Sequence, residues 1–384
     1  MANRRLVLLF DGTWNKPESN TNVERLRRLI APHDGNGIEQ LVNYIPGVGV
    51  KPGLTHLLGG AFGYGLSNHV IDGYRWLCAT WQPGDVLYLF GFSRGAYTAR
   101  SLAGLIRKCG LLRRGTDGNV TKDDVATAYD FYRDIGSKPD DAVAVAFRAS
   151  HSVEIEIHFI GVWDTVGSLG IPDTASWFPF ARARYQFHDT ELSKIVKYAY
   201  QALALDEHRA DFKPALWTRN PDTLKAGETR TSKKPEQIEI EQRWFIGSHA
   251  DVGGGNARDG AGRKPDPLPD LPLAWLQDKA MSADLACGGI LLPAIDAGNG
   301  VPRNSYAEFM CGLYKEFTPP FDRVLGTGIN EKIDDSVWQR WLADAGYRSP
   351  SLAQALTRAV ALMAIETVVA LDAVMVDGQS QTPA

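Results

Sequence analysis

Cysteine is scarce. Cys78, Cys109, Cys287 and Cys311 are spread over 384 residues without a single CxxC pair. That excludes a zinc ribbon, a redox dithiol and a disulfide scaffold, and it fits a reducing compartment. An excess of one charge is also lacking: 41 Lys and Arg against 45 Asp and Glu leave a net charge of −4. No basic balance recruits nucleic acid, and no acidic run forms a solvated tail. Long apolar runs are missing as well. Leu6–Phe10 stops at Asp11, short of the roughly 7–15 apolar residues of a signal-peptide core. Leu352–Val376 is broken by Arg358, Glu366 and Asp372, whereas a bilayer span needs about 20 apolar residues with few charges. The expectation is a soluble or at most peripheral chain, without signal peptide or transmembrane helix. No HxH or HExxH pattern marks a metal site.

What is present is ordinary globular material, 44% hydrophobic and 22% charged, enough for a large core. Short apolar strands alternate with helical segments through the first two-thirds. Arg5–Phe10, Gln40–Ile45, Asp85–Phe90, Val153–Val162 and Glu239–Ile246 read as strands. Glu24–Ile30, the later part of Gly53–Trp81, and Arg94–Cys109 closed by Gly110 read as helices. This rhythm predicts an α/β fold, a mostly parallel sheet covered by helices on both faces. A further helix is expected at Glu191–Asp206, inside a helical, lid-like insertion over 170–235. A Gly/Pro/Asp-rich loop, Gly260–Pro272, precedes a mainly helical C-terminal region over 281–384 packed on a core of residues 1–280.

The strongest chemical signal is Gly91-Phe92-Ser93-Arg94-Gly95. It is a G-x-S-x-G between an apolar strand and a helix, the context of a nucleophile elbow. Gly91 and Gly95 must be small for strand and helix to approach. Ser93 then projects at a helix N-terminus, where backbone N–H groups favour developing negative charge. A serine needs a base, itself oriented by a carboxylate. Of eight histidines only His249 directly follows a predicted strand and precedes a glycine cluster. For the acid, Asp164 ends the strand before Thr165 and lies between Ser93 and His249 in order. Asp251 follows the histidine on a glycine-rich loop and suits loop bracing better. The Arg94 N–H is one expected oxyanion donor; Gly12 or Thr13, after the first strand, offers the other, with Asp11 supporting that loop. Arg100 reads as a solvated or salt-bridged helix residue, and Tyr200–Trp217 as a helix end with an ion-pair network.

Five segments occur in an order that resembles one family. They are Leu8–Asn15 (LLFDGTWN), Gly91–Arg100 (GFSRGAYTAR), Gly161–Gly167 (GVWDTVG), Ala202–Arg209 (ALALDEHR) and His249–Gly255 (HADVGGG). The family is the α/β-hydrolase family known as domain of unknown function 2235. Its best-understood members are phospholipase effectors of bacterial type VI secretion, the first family of lipase effectors. The resemblance covers about residues 4–280. It implies a cofactor-free Ser–Asp–His ester hydrolase in which Ser93, Asp164 and His249 match the family's nucleophile, acid and base. Phospholipid would be the substrate of the effector branch, with peripheral membrane contact and export by type VI secretion. The chain departs from effector members in having little room for their membrane-anchoring modules.

Two other classes stand beside the serine ester hydrolase. One is a cation-dependent hydrolase using Asp11, Asp164, His249 and Asp251. The other is a non-catalytic lipid-binding module on a hydrolase scaffold. The aromatic stretch Trp177–Phe187 together with Leu352–Met375 suits an apolar lid or membrane-facing surface, and equally packing in the core or a dimer interface. Composition leaves the oligomeric state open.

Overall fold

The computed structural model describes residues 4–12, 15, 17–47, 59–167, 191–221, 224–225, 227–255 and 266–360. Its strands in chain order are β1 (Arg5–Phe10), β2 (Gln40–Ile45), β3 (Val86–Phe92), β4 (Leu111–Leu112), β5 (Ser152–Val153), β6 (Ile157–Trp163), β7 (Val196–Ala204), β8 (Glu239–Phe245) and β9 (Glu331–Ile333). Seven of them form one sheet in the order β2-β1-β3-β6-β7-β8-β9, and β4 and β5 form a small separate ladder. Every neighbouring pair in the large sheet is parallel.

A parallel strand with both faces covered must be apolar at every position, and β1 shows this directly. Leu6, Leu8 and Phe10 pack to one side, and Val7 and Leu9 to the other. Each is fully buried, contributing about 1.5–3 kcal/mol. On the first side lie α2 (Gly59–Thr80) and α3 (Arg94–Cys109), through Tyr74, Leu77, Leu102 and Leu105. On the second lies α1 (Asn22–Leu29), capped by the Thr21 hydroxyl, which accepts the Glu24 N–H. The helix Asp270–Ser282 joins it there through Leu273 and Leu276. α3 has the predicted bounds; Gly110, at φ +71°, ends it.

Two expectations fail. The segment expected to be a helix at Glu191–Asp206 is β7, an inner strand paired with β6 and β8. Its sequence, VKYAYQALA, has its polar residues Lys197 and Gln201 four apart in otherwise apolar surroundings, a spacing as compatible with a buried helix as with an inner strand. The second concerns the boundary at 280. Residues beyond it supply the sheet's last strand, β9, which pairs with β8. They also supply part of a third cluster, where Leu325, Val337 and Leu352 meet Trp244 and Ile246. Short helices and loops, not a mainly helical cap, make up most of 281–349. The aromatic stretch Trp177–Phe187 and the part of Leu352–Met375 beyond residue 360 lie outside the described residues. Among the described residues no helix is long and apolar enough to cross a membrane.

Candidate active site

At the carboxyl end of β3 the chain turns straight into α3, with Ser93 at the corner. Its backbone sits at φ +58°, ψ −120°, a conformation that non-glycine residues occupy only at a cost of about 1–3 kcal/mol. The corner is as tight as the glycines suggested. A Cβ on Gly91 would fall 2.4 Å from the Gly95 carbonyl oxygen, and one on Gly95 2.1 Å from the Phe10 carbonyl oxygen. The Ser93 N–H donates to the Trp163 carbonyl at 3.0 Å, tying the elbow to β6.

The ends of β6 and β8 deliver the other two groups. Asp164 directly follows β6, and His249 opens the five-residue helix His249–Gly253 just beyond β8. His249 Nε2 lies 2.8 Å from Ser93 Oγ, and Nδ1 lies 2.6 Å from Asp164 Oδ2. All three are buried, Asp164 completely. The proton on the imidazole can be assigned by elimination. Asp164 accepts from the Ala204 N–H and from both terminal nitrogens of Arg323. An ionised carboxylate has no proton to give, so Nδ1–H donates to it, and Nε2 is left to accept from the Ser93 hydroxyl. Burial alone would push the Asp164 carboxyl up; Arg323 first and then His249 hold it well below the usual carboxylate range. Burial also lowers the His249 pKa, against the pull of Asp164, so the ring stays neutral near pH 7. The Phe92 and Phe212 rings flank it, with centroids 4.7 and 5.1 Å away.

Two groups at this site carried no local sequence signal for the role they take here. Arg323 is fully buried and bonds Asp164 at 2.5 and 3.0 Å, the Ala204 carbonyl at 2.8 Å and the Phe212 carbonyl at 2.6 Å. It arrives from a loop 159 residues away, a distance no motif spans. Glu207 stands on the loop after β7, not on a helix end. It is paired with Arg209 through two contacts of 2.8 Å and accepts the His249 N–H at 3.2 Å. Burial opposes its ionisation, but Arg209 holds its pKa down to about 2. The ion pair expected from ALDEHR is therefore present, and it braces the histidine's backbone.

The supporting residues sort as follows. Asp11 is buried and accepts from Thr21 Oγ1 at 2.6 Å, Tyr44 Oη at 2.7 Å and the Gly12 N–H at 2.7 Å. Burial raises its pKa despite these donors. The Gly12 N–H, expected as an oxyanion donor, is thus given to Asp11, while Thr13 lies outside the described residues. Arg94 is the first residue of α3, where N–H groups point out of the helix end. Asp251 Oδ2 accepts from the Ser248 N–H, the Ser248 hydroxyl and the Arg303 N–H, which braces its loop. Arg100 is a correction. It is buried, not solvated, over the Trp217 ring and donating to the Ala215 carbonyl, because β7 and its following loop cover that face. Asp11, Asp164 and His249 spend their polar atoms on these partners, whereas Asp251 does so only through Oδ2, its Oδ1 being buried without one. Among the described residues no group of three or more His, Cys, Asp or Glu side chains is placed to hold a metal ion.

A parallel α/β sheet with a strained serine between strand and helix, and a histidine and a carboxylate at neighbouring strand ends, defines an α/β-hydrolase-type fold. More narrowly, the chain belongs to the family described as the type VI secretion phospholipase effector Tle1-like catalytic domain, whose model matches residues 4–279. The uncharacterized protein YEL023C of Saccharomyces cerevisiae is 34% identical over 245 residues, covering 57% of this chain and 33% of that protein. The chain thus spans about a third of the length of this curated relative. Among solved structures, an uncharacterized protein from Pseudomonas aeruginosa is similar at TM-score 0.43 and 19% identity, over 82% of this chain and 51% of that one. A thermophilic esterase from Thermogutta terrifontis is similar at TM-score 0.35 and 14% identity, over 76% and 87% of the two chains.

Proposed function

We propose that this protein is a serine hydrolase of carboxylic esters, with lipid or phospholipid esters as its substrates. The observation that carries the reading is the buried chain Ser93 Oγ–His249–Asp164, with contacts of 2.8 and 2.6 Å. Membership of a phospholipase effector family supports the lipid part, as well as contact with a membrane surface and export by type VI secretion. In this reading Ser93 Oγ attacks the ester carbonyl while His249 Nε2 takes its proton, and Asp164 stabilises the imidazolium. The imidazolium then protonates the departing alcohol. Water, deprotonated by the same nitrogen, cleaves the acyl-enzyme and returns Ser93. The Arg94 N–H is one donor to the oxyanion; with Gly12 committed to Asp11, Thr13 is the sequence candidate for the second. The reaction needs no cofactor.

A fluorophosphonate probe tests this, combined with ester and phospholipid panels and an EDTA arm. Stoichiometric labelling at Ser93 with EDTA-insensitive turnover is expected. Turnover that EDTA abolishes, without labelling, would support the cation-dependent reading. Neither labelling nor turnover would leave a lipid-binding module.

A further inference from the structure

The family match ends at residue 279, yet the counter-ion of the candidate triad acid comes from beyond it. The geometry points to Arg323 as a positioning residue for ester hydrolysis, and so to the segment around it as part of the active site. This inference rests on the serine-hydrolase reading.

The argument is one of charge and orientation. Arg323 and Asp164 are both completely buried, and a buried charge persists only when it is paired and hydrogen-bonded. Arg323 meets Asp164 end on, with Nη1 2.5 Å from Oδ1 and Nη2 3.0 Å from Oδ2. That two-point contact fixes the plane of the carboxylate, and with it the Oδ2 lone pair that receives His249 Nδ1–H. The guanidinium is itself tethered by the Ala204 and Phe212 carbonyls, so it cannot rotate to follow a displaced carboxylate. Its loop is held on the same side by the Phe321 N–H, which donates to the His208 carbonyl at 2.8 Å. A second effect is electrostatic. A fixed positive charge behind Asp164 opposes protonation of the neighbouring ring, so Arg323 helps keep His249 neutral and basic on demand rather than permanently charged. Arg323 is fully buried and presents no surface to a substrate, so its loss should act on turnover and not on binding.

Arg323→Gln and Arg323→Lys in the full chain test this, with rates expressed per Ser93 labelled by the fluorophosphonate so that unfolded protein does not count. Arg323→Gln removes the charge. Its kcat should fall about 10- to 100-fold, as when outer partners of other oriented groups are lost, with KM unchanged. Its acid limb in kcat/KM should move to higher pH, because a cation that opposes protonation of the ring is gone. Arg323→Lys keeps the charge but cannot span both oxygens; its limb should stay in place while kcat falls. A purely structural arginine would lower the labelled fraction and leave per-site kcat and the limb at wild-type values, and that result overturns the proposal. If Arg323→Gln does not fold, Arg323→Lys decides alone: wild-type kcat per site refutes the two-point contact. Ester turnover that survives in Ser93→Ala sinks the triad reading itself, and this inference with it.

Discussion

Replacing Asp164 by asparagine should strike chemistry and stability together, and the structure says why. Four donors converge on the carboxylate: His249 Nδ1–H, the Ala204 N–H and two Arg323 nitrogens. An amide offers one oxygen acceptor and turns an NH2 group toward the remaining donors. If that NH2 faces the ring, His249 must accept at Nδ1 and carry its proton on Nε2, where it can no longer take one from Ser93. By analogy with other triads the turnover rate should fall by about 10³–10⁴, or roughly 4–5.5 kcal/mol of barrier. In the same variant Arg323 becomes a buried charge without its anion, a loss of about 3–5 kcal/mol in stability. Urea denaturation and ester kinetics on the folded fraction separate the two effects. Adding Arg323→Met should restore much of the stability and none of the rate. The pH sense follows from the depressed Asp164 pKa. The pair's contribution is full above the unfolded-state carboxyl pKa and is lost as pH falls toward the folded-state value. Asp164→Asn with more than a tenth of wild-type turnover would refute this reasoning. If Asp251→Asn were then inactive yet folded, the acid role would pass to Asp251.

Ser93→Gly should abolish ester turnover yet raise the unfolding midpoint in urea, because glycine adopts φ +58° without the about 1–3 kcal/mol of strain a serine stores there; an unchanged or lower midpoint speaks against strain at the elbow. Gly95→Ala should cost about 3 kcal/mol, at the upper end for overpacking, since its Cβ would meet the β1 backbone at 2.1 Å. Near-wild-type stability in that variant would mean that α3 and β1 can separate.

How much of this was visible beforehand depends on the range of the interaction involved. The elbow was legible because strand, glycines, serine and helix are contiguous. The placement of Asp164 and His249 beside Ser93 was legible because each follows an apolar strand, and a parallel sheet brings such ends to one edge. β7 was not, because Lys197 and Gln201 interrupt the apolar residues of Val196–Ala204 at a four-residue spacing that suits a helix as well as a strand. Arg100 was misjudged because position on a helix does not tell which face a distant strand will cover. Arg323 could not be found by any local rule. Its only mark is a partner 159 residues earlier, reached because the Phe321 N–H docks its loop on the His208 carbonyl and not through neighbours in sequence.

His249 stands between two buried ion pairs, each with its anion toward the histidine and its cation behind, and removing an anion from one and a cation from the other yields one more prediction. On its Nδ1 side is Asp164 with Arg323 behind it. On its backbone side is Glu207, paired with Arg209. A base must be neutral before it can accept the serine proton, so kcat/KM rises as pH climbs through the His249 pKa in the free enzyme. Burial lowers that pKa from the ordinary 6.5, which places the wild-type acid limb below about 6.5. Glu207 attracts the imidazolium and Arg209 repels it. Glu207→Gln removes the attraction while an amide oxygen can still accept the His249 N–H. The Arg209 repulsion is then no longer offset by Glu207, and the limb should move to still lower pH. Removing Arg323, by contrast, should move it up. The assay is a pair of kcat/KM profiles over the acid range, each normalised to labelled Ser93. A wild-type limb above 6.5, or shifts of the same sign in Glu207→Gln and Arg323→Gln, would mean that these charges do not set the basicity of His249.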